Sequence, residues 1–252
     1  MTQSVFIVTR FNLKLWKKDK NNQPTLSDEW MRERMELFST YCLPSIRVQT
    51  QQNFKWIILL DDDTAVEYKQ KMLEISTEYK NLMPFYLKDV QTENYIEYIS
   101  SLVCNMAKQE NADRIVTIRL DNDDALHKSF VEKVCQADVS DRSDTATIYS
   151  FRTGLQYYVK NGMTLRFPWE NNHFLALGQN ISASNDYVNI FNFNHYHIRS
   201  SGFRFKCVDS DVPMWAEIIH DKNVANDIPI KSFYRNRLIN RGIDRGGTGQ
   251  VL

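Results

Sequence analysis

The sequence has no hydrophobic run that is long enough to cross a membrane. Its longest aliphatic and aromatic run is WIILL at 56–60, whereas a membrane-spanning helix needs roughly 20 apolar residues. The first residues, MTQSVFIVTRF, also lack the basic flank and long apolar segment of an export signal. We therefore expect a protein of the cytoplasm without a spanning segment.

The sequence also lacks an excess of charge of either sign. Its 31 basic and 31 acidic side chains cancel, so there is no overall positive field of the kind that draws proteins to nucleic acid. The 4 cysteines are widely spaced and form no CxxC pair, which excludes a disulfide-rich scaffold and is typical of a reduced compartment. A nucleic-acid partner is not predicted.

Short apolar strands alternate with amphipathic helices over the first half of the chain. Thr25 and Asp28 have the spacing of a capping box at the start of the first helix, and Pro44 is predicted to end that helix. The alternation predicts an α/β fold, with a Rossmann-like, mostly parallel sheet flanked by helices. The predicted strands are 5–11, 55–63, 84–87 and 114–120, and the further helical stripes are 68–79, 95–106 and 130–134.

The second half of the chain has fewer periodic segments. Asn161-Gly162 predicts a hairpin, and the Asn-rich, aromatic stretch up to about residue 200 is interpreted as long loops. His195 and His197 have strand-like spacing, so both would face the same way, either to bind a metal or simply to flank a sheet. Pro213 is expected in the first turn of a further helix.

Two acidic clusters follow predicted strands directly. Asp61-Asp62-Asp63 comes after KWIILL, and Asp121-Asn122-Asp123-Asp124 comes after RIVTIRL. In an open α/β sheet the ligand binds outside the carboxyl ends of the strands, which is where both clusters are expected. Crowded carboxylates are relieved by a divalent cation, Mg²⁺ or Mn²⁺, which also takes phosphate oxygens. Such a cation makes a nucleoside diphosphate a good leaving group.

Simpler roles for these acids remain open. Asp63 or Thr64 could cap the helix after the first cluster, and Asp124 the helix after the second, although one cap requires only one carboxylate. Arg10 and Arg119 lie in or at the end of apolar strands, where an unpaired guanidinium would be costly. Each is expected to meet a carboxylate or a phosphate.

Several blocks of the sequence together resemble the bacterial rhamnosyltransferase family, which has the GT-A (nucleotide-diphospho-sugar transferase) architecture. This resemblance implies one GT-A-like domain, with a nucleotide-binding half at 1–140, an acceptor-side half at 141–230 and a basic tail at 231–252. The blocks are TRF at 9–11, LSDEWMRERMELFSTYCLPSIRVQT at 26–50, FKWIILLDDDT at 54–64, TIRLDNDDAL at 117–126 and PMWAEIIHDKNVAND at 213–227.

The resemblance also implies a function and a set of site residues. A metal-dependent glycosyltransferase would move a sugar from a nucleotide-sugar donor to a hydroxyl of a glycan or lipid-linked glycan, in the synthesis of a bacterial surface polysaccharide. Asp121 and Asp123 would be the Asp-x-Asp that holds Mn²⁺ or Mg²⁺, and His220 would be the third ligand unless it is an ordinary histidine at a helix end. The nucleotide pocket would be lined by Thr9, Arg10, Asp61, Asp62 and Arg119.

An inverting enzyme would also need a general base, usually a carboxylate. Asp209 and Asp211 are the first candidates for this base, although Asp211 could merely cap the helix expected after it. Glu170 and Asp186 are alternatives. The sequence does not choose among them, or between inversion and retention of configuration.

The basic tail suggests a peripheral contact with the inner face of a membrane, although a solvated basic helix would explain its composition equally well. Two other functions remain open. LLDDDTA resembles the first motif of haloacid-dehalogenase phosphatases, with Asp61 as nucleophile and Asp63 as acid and base. The chain could also be a non-catalytic module that binds a nucleotide or a glycan.

Overall fold

The computed structural model describes residues 2–15, 26–141, 145–181 and 187–220. Its strands are β1 Gln3–Arg10, β2 Lys55–Asp61, β3 Leu82–Leu87, β4 Arg114–Arg119, β5 Ala125–Leu126, β6 Thr147–Ser150, β7 Thr153–Tyr158, β8 Met163–Pro168, β9 Leu175–Asn180, β10 Arg204–Cys207 and β11 Trp215–Ile219. Its α-helices are α1 Asp28–Leu37, α2 Leu43–Arg47, α3 Val66–Glu78, α4 Asp89–Glu93, α5 Tyr95–Gln109 and α6 Phe130–Asp141. A π-helical turn, Phe38–Cys42, joins α1 to α2, and 3-10 helices span Ile190–Asn192 and His195–Ser200.

The main sheet has the strand order β10-β6-β9-β4-β1-β2-β3 in the described part of the chain. Its strands are parallel except β9, which runs antiparallel to both β4 and β6. Alternate residues of β2 enter two different hydrophobic clusters, with Ile58 and Leu60 in one and Ile57 and Leu59 in the other. Both faces of the sheet are therefore covered, which confirms the predicted α/β fold class.

A second, smaller sheet lies beside the first, with the order β5-β11-β7-β8. Strands β7 and β8 form the predicted hairpin, and Gly162 takes the positive φ of +68° that its turn requires. Strand β11 pairs with β5, which directly follows the second acidic cluster. The two sheets therefore meet at that cluster.

The first helix differs from its predicted boundaries at both ends. Its N-cap is Ser27, whose hydroxyl accepts a hydrogen bond from the amide of Trp30, and Thr25 lies outside the described residues. Pro44 does not end the helical segment, because the π-helical turn precedes it and α2 continues with Pro44 in its first turn. The chain is helical on both sides of Pro44, and the π-helical turn changes the hydrogen-bond pattern just before the proline, which has no N–H to donate.

Three predictions for the second half of the chain are wrong. The Asn-rich stretch contains β9, an interior strand of the main sheet. The segment after Pro213 forms strand β11 rather than a helix, so Asp211 caps no helix and His220 follows a strand. His195 and His197 lie on a 3-10 helix rather than on one face of a strand.

Among the described residues, no helix combines the length and the apolarity needed to cross a membrane. The four cysteines are free thiols. The basic tail, 231–252, lies outside the described residues, as does the alternative base Asp186.

Candidate active site

The candidate site lies at the carboxyl edge of the main sheet. Parallel strands β1, β2 and β4 all end at this edge, bringing Arg10, Asp61 and Arg119 there. Strand β9 runs the opposite way, so His173, two residues before its start, reaches the same edge. The second acidic cluster, 121–124, forms the turn that follows β4.

Asp121 lies between two arginines. Its carboxylate is 3.2 Å from Nη2 of Arg119 and 3.6 Å from Nη2 of Arg10. Burial alone would raise the pKa of Asp121, but the guanidinium groups of Arg119 and Arg10 outweigh it and hold that pKa well below its usual range. Each arginine thus meets a carboxylate, as the sequence predicts.

An aromatic ring packs against both guanidinium groups. The centre of the Phe191 ring is 4.9 Å from the guanidinium carbon of Arg10 and 5.7 Å from that of Arg119. Arg10 also donates a hydrogen bond of 3.4 Å to the hydroxyl of Tyr95. These contacts fix two positive charges side by side at the end of the sheet.

Asp124 is the most enclosed acid of the cluster. Its Oδ1 accepts a hydrogen bond of 3.0 Å from the amide of Ile218 in β11, and its Oδ2 lies 2.8 Å from Nε2 of His173. Burial, followed by the charges of Asp123 and Asp121, raises the pKa of Asp124, while burial lowers the pKa of His173. The pair is therefore favoured as a neutral acid beside a neutral imidazole.

Asp121, Asp124 and His173 form a compact group of potential metal ligands. One ligand atom from each lies within 4.8 Å of the others, and in the described ranges this is the sole group of three or more such residues. Ligands of a single cation lie about 2.0–2.6 Å from it, so two of them are at most about 5 Å apart. The group therefore has the dimensions of a cation site.

The other two predicted ligands lie together but apart from this group. Asp123 is ion-paired with the largely buried Arg34 of α1, and its Oδ2 is 2.9 Å from Nε2 of His220. Burial opposes ionisation of Asp123, but Arg34 and then His220 keep its pKa below the usual value. Asn122 joins them by accepting a hydrogen bond of 3.2 Å from Arg34. The structure brings Asp123 and His220 together, while Asp121 lies with Asp124 and His173.

The first acidic cluster, 61–63, has partners of its own in the structure. Asp61 is buried, with Oδ1 3.1 Å from Nζ of Lys14 and Oδ2 without a hydrogen-bond partner among the described residues. Asp62 is exposed, and Lys14 also pairs with Asp63 at 2.6 Å. Thr9 is fully buried and its hydroxyl accepts a hydrogen bond from Trp56, which places it beneath the edge rather than on its surface.

The structure also places here two residues that the sequence does not indicate, His173 and Glu217, together with His195, which the sequence suggests as a metal ligand or as a residue that flanks a sheet. His173, Trp169 and His195 lie within ring-centre distances of 5.7–5.9 Å of one another. Glu217 of β11 is buried and accepts a hydrogen bond of 2.7 Å from Gln156, and burial raises its pKa. The stretch around His173 carries no motif, and only the register of β9 against β4 brings it to the cluster.

The candidate general bases occupy more open positions. Asp209 and Asp211 are exposed and make no hydrogen bond or ion pair with any residue in the described part of the chain. Glu170 is exposed and pairs with Arg152 and Arg199, each at 3.1 Å. Asp209 and Asp211 are therefore accessible to an acceptor, whereas Glu170 is held in surface ion pairs.

The family described as "Putative rhamnosyl transferase" matches residues 7–232 of the chain. The matched span includes both acidic clusters, β9 and β11. Among curated proteins, no sequence matches significantly.

Several solved structures match more than four fifths of this chain at low sequence identity. A cytidylyltransferase from Leptospira borgpetersenii matches with 14% identity and a TM-score of 0.40, covering 84% of this chain and 77% of that one. A "putative nucleotide-diphospho-sugar transferase" from Desulfovibrio desulfuricans G20 has 9% identity, a TM-score of 0.40 and coverage of 88% and 84%. Residues 1–349 of S. aureus TarS match with 11% identity, a TM-score of 0.43 and coverage of 86% and 60%.

Proposed function

Because the chain belongs to the rhamnosyl transferase family, and is thus a glycosyltransferase with a GT-A fold, we propose that it moves a sugar from a nucleotide-sugar to a hydroxyl at the carboxyl edge of its main sheet. We further propose that a divalent cation holds the donor diphosphate. The acceptor is a glycan or a lipid-linked glycan of a bacterial surface polysaccharide.

The observation that carries this proposal is the position of two fixed guanidinium groups beside a compact group of carboxylates and an imidazole. Arg10 and Arg119 contact Asp121, and Asp121 belongs to the group with Asp124 and His173. Guanidinium groups bind phosphate oxygens well, and carboxylates with imidazole bind Mn²⁺. One edge therefore offers both components that a diphosphate and its cation require.

The donor set of this group fits a divalent cation. Asp121 is held ionised by the two arginines, and Asp124 and His173 share a hydrogen bond whose proton a cation would replace. When bound, the cation would neutralise charge on the diphosphate leaving group. The alternative ligand set is Asp121 with Asp123 and His220, which the family resemblance implies.

The protein's own residues orient the donor and stabilise its leaving group. Arg10 and Arg119, fixed by Phe191, would bind oxygens of the diphosphate and hold positive charge where negative charge develops. Asp61 Oδ2 is a buried acceptor without a partner among the described residues, and it would accept a hydrogen bond from the base or ribose. Asp62, exposed next to it, would line the same pocket.

The general base is proposed to be Asp209 or Asp211. Both carboxylates are exposed after β10, on the segment that leads into β11. A base must reach the acceptor hydroxyl within hydrogen-bond distance, and an exposed carboxylate on a loop can do so when the acceptor binds. The basic tail, 231–252, would contact an anionic membrane if the acceptor is lipid-linked.

A thermal-shift matrix tests the donor site. UDP, dTDP, GDP, CMP and ADP would each be added with and without Mn²⁺ to the wild type and to Asp121→Ala/Asp123→Ala. A nucleotide at 100 times its dissociation constant adds about 2.7 kcal/mol, or roughly 5–10 °C for a chain of this size. We expect one nucleotide to give a shift that requires Mn²⁺ and is lost in the variant.

Two single substitutions distinguish the two ligand sets. Asp124→Asn replaces an acid whose neutral form the fold already favours, so the variant should fold normally while losing the Mn²⁺-dependent shift. Asp123→Asn should keep that shift if Asp121, Asp124 and His173 hold the cation, and lose it if Asp123 and His220 do. Asp63→Asn, on an exposed side chain, is the matched control.

No shift for any nucleotide in a folded wild type would contradict the proposal. Release of phosphate from p-nitrophenyl phosphate, abolished in Asp61→Asn, would then favour the phosphatase alternative. Metal-dependent nucleotide binding without turnover of any donor, including slow hydrolysis to free sugar, would instead favour the non-catalytic module.

A further inference from the structure

Three aromatic rings, one of which belongs to the candidate cation group, lie close together. The ring centres of Trp169 and His173 are 5.7 Å apart, and His195 lies 5.9 Å from each of them. His173 belongs to the cation group, so Trp169 and His195 are its immediate neighbours. We call Trp169 and His195 the ring wall.

One ring nitrogen of His195 is buried. Its Nε2 is inaccessible to solvent and makes no hydrogen bond with any residue that the structure describes. A buried polar atom without a hydrogen bond is costly, and proteins tolerate such atoms mainly where a ligand or a water supplies the partner. The unused nitrogen is therefore evidence of a ligand beside Trp169.

The chemistry of the ring wall selects a neutral ligand rather than a phosphate. Neither Trp169 nor His195 carries a guanidinium or ammonium group of the kind that binds phosphate oxygens. A neutral imidazole offers one donor and one acceptor, as a sugar hydroxyl does, and an indole ring packs against the apolar faces of a sugar. The charged partners for phosphate, Arg10 and Arg119, lie beside Asp121 instead.

The strand order separates the ring wall from the proposed nucleotide contacts. Neighbouring strands run β9-β4-β1-β2 across the sheet. His173 precedes β9, Asp121 follows β4, Arg10 ends β1 and Asp61 ends β2. An extended donor with its base near Asp61 and its diphosphate near Arg10 would place its sugar on the β9 side.

We propose that Trp169 and His195 hold the sugar that is transferred, with Nε2 of His195 hydrogen-bonded to one of its hydroxyl groups. This inference rests on the proposed function, because it takes the diphosphate to lie between Arg10 and Asp121. It names a hexose or deoxyhexose ring as the ligand, and it makes His195 a residue that selects among donor sugars.

Isothermal titration of matched ligand pairs tests the ring wall separately from the nucleotide site. The pairs are UDP with UDP-glucose, dTDP with dTDP-L-rhamnose, and GDP with GDP-mannose, all with Mn²⁺. His195→Phe keeps an aromatic ring against Trp169 but removes both nitrogens. His197→Phe, two residues away and exposed on the same 3-10 helix, is the matched control.

We expect the wild type to bind one nucleotide-sugar more tightly than its nucleoside diphosphate. His195→Phe should weaken the nucleotide-sugar about tenfold, the effect of one lost hydrogen bond in a buried site, and leave the diphosphate unchanged. His197→Phe should change neither affinity.

Three results would overturn the inference. Equal weakening of both ligands in His195→Phe would show only a disturbed site, and unchanged affinities would show that His195 touches no donor sugar. Unchanged donor binding with a raised KM for an acceptor would move the ring wall to the acceptor side. Failure of the wild type to bind any of the six ligands would instead remove the proposed function itself.

Discussion

Individual side chains at the edge of the main sheet differ in charge state because their neighbours differ. Asp121 faces Arg10 and Arg119, so it is held ionised despite its burial. Asp124, three residues later, has acids as its strongest charged neighbours, and its pKa is raised. Two carboxyl groups of one short turn therefore favour opposite protonation states at the same pH.

The depressed pKa of His195 predicts a specific loss of stability in acid. Burial is the main cause, His173 and Arg119 add to it, and Asp121 opposes it. In the unfolded chain the imidazole of residue 195 binds a proton near pH 6.5, whereas in the folded chain it does so only near pH 4. The contribution of His195 to stability is thus complete above about pH 6.5 and is lost as the pH falls toward 4.

Urea titrations of the wild type and His195→Phe at several pH values measure this contribution. The free energy of unfolding of the wild type minus that of the variant should be constant above about pH 6.5 and should decrease toward pH 4. Groups that do not interact with residue 195 cancel in this difference. A difference that is independent of pH across the whole range would contradict the shifted pKa.

At this scale the sequence predicts the acids and the arginines beside Asp121, but not His173. Asp121, Asp123 and Asp124 are visible because they follow an apolar strand directly, and strand ends are readable from a hydrophobic run. His173 is 49 residues from Asp124, and nothing local in ENNHF marks it. Its position depends on the pairing of Ile118 with Ala176, which is a tertiary register that one sequence does not reveal.

At the scale of elements, β9 is the segment on which the main sheet most depends. It lies between β4 and β6 and joins the two parallel parts of the sheet. Its sequence, LALGQN, contains a glycine and no β-branched residue, so its residue preferences do not indicate a strand. The prediction of a helix over MWAEII is wrong for a related reason, because a short apolar run fits a helix and a strand equally well.

Gly178 of β9 is required by a close approach from α6. A Cβ at this position would lie 1.9 Å from Oδ1 of Asp138, which is fully buried and paired with Arg114 at 2.7 Å. Displacing Asp138 would break a buried ion pair, and such losses cost about 3–5 kcal/mol. Gly178→Ala should therefore lower the melting temperature by roughly 10 °C or more.

Gly162→Ala is the matched control for this substitution. Nothing lies within 4 Å of a Cβ at Gly162, and the cost there is only the strain of its positive φ of +68°, about 1 kcal/mol. Scanning calorimetry of both variants checks the prediction. Equal losses of stability would show that the contact with Asp138 does not limit residue 178.

At the scale of the whole molecule, the candidate site lies where the two sheets meet. Asp124 binds the backbone of β11, and Asp123 contacts Arg34 of α1 and His220 after β11. The turn after β4 thus connects the main sheet, the first helix and the second sheet. Since both sheets meet at these carboxyl groups, removing a whole side chain, unlike the isosteric Asp124→Asn, should weaken the fold as well as the proposed cation binding.

A double-mutant cycle on Arg34 and Asp123 measures how much the contact between these two side chains stabilises the fold. Both side chains are nearly buried, so Arg34→Met and Asp123→Asn should each cost about 3–5 kcal/mol by leaving the other charge without its main partner. The double variant should be more stable than the sum predicts by about 1–3 kcal/mol. The exposed pair Arg47 and Glu78, 3.2 Å apart, is the control and should couple by less than about 1 kcal/mol. The coupling energies would be measured by urea unfolding. Equal coupling energies in the two pairs would show that the ion pair of Asp123 does not stabilise the fold, and would favour Asp123 as a cation ligand.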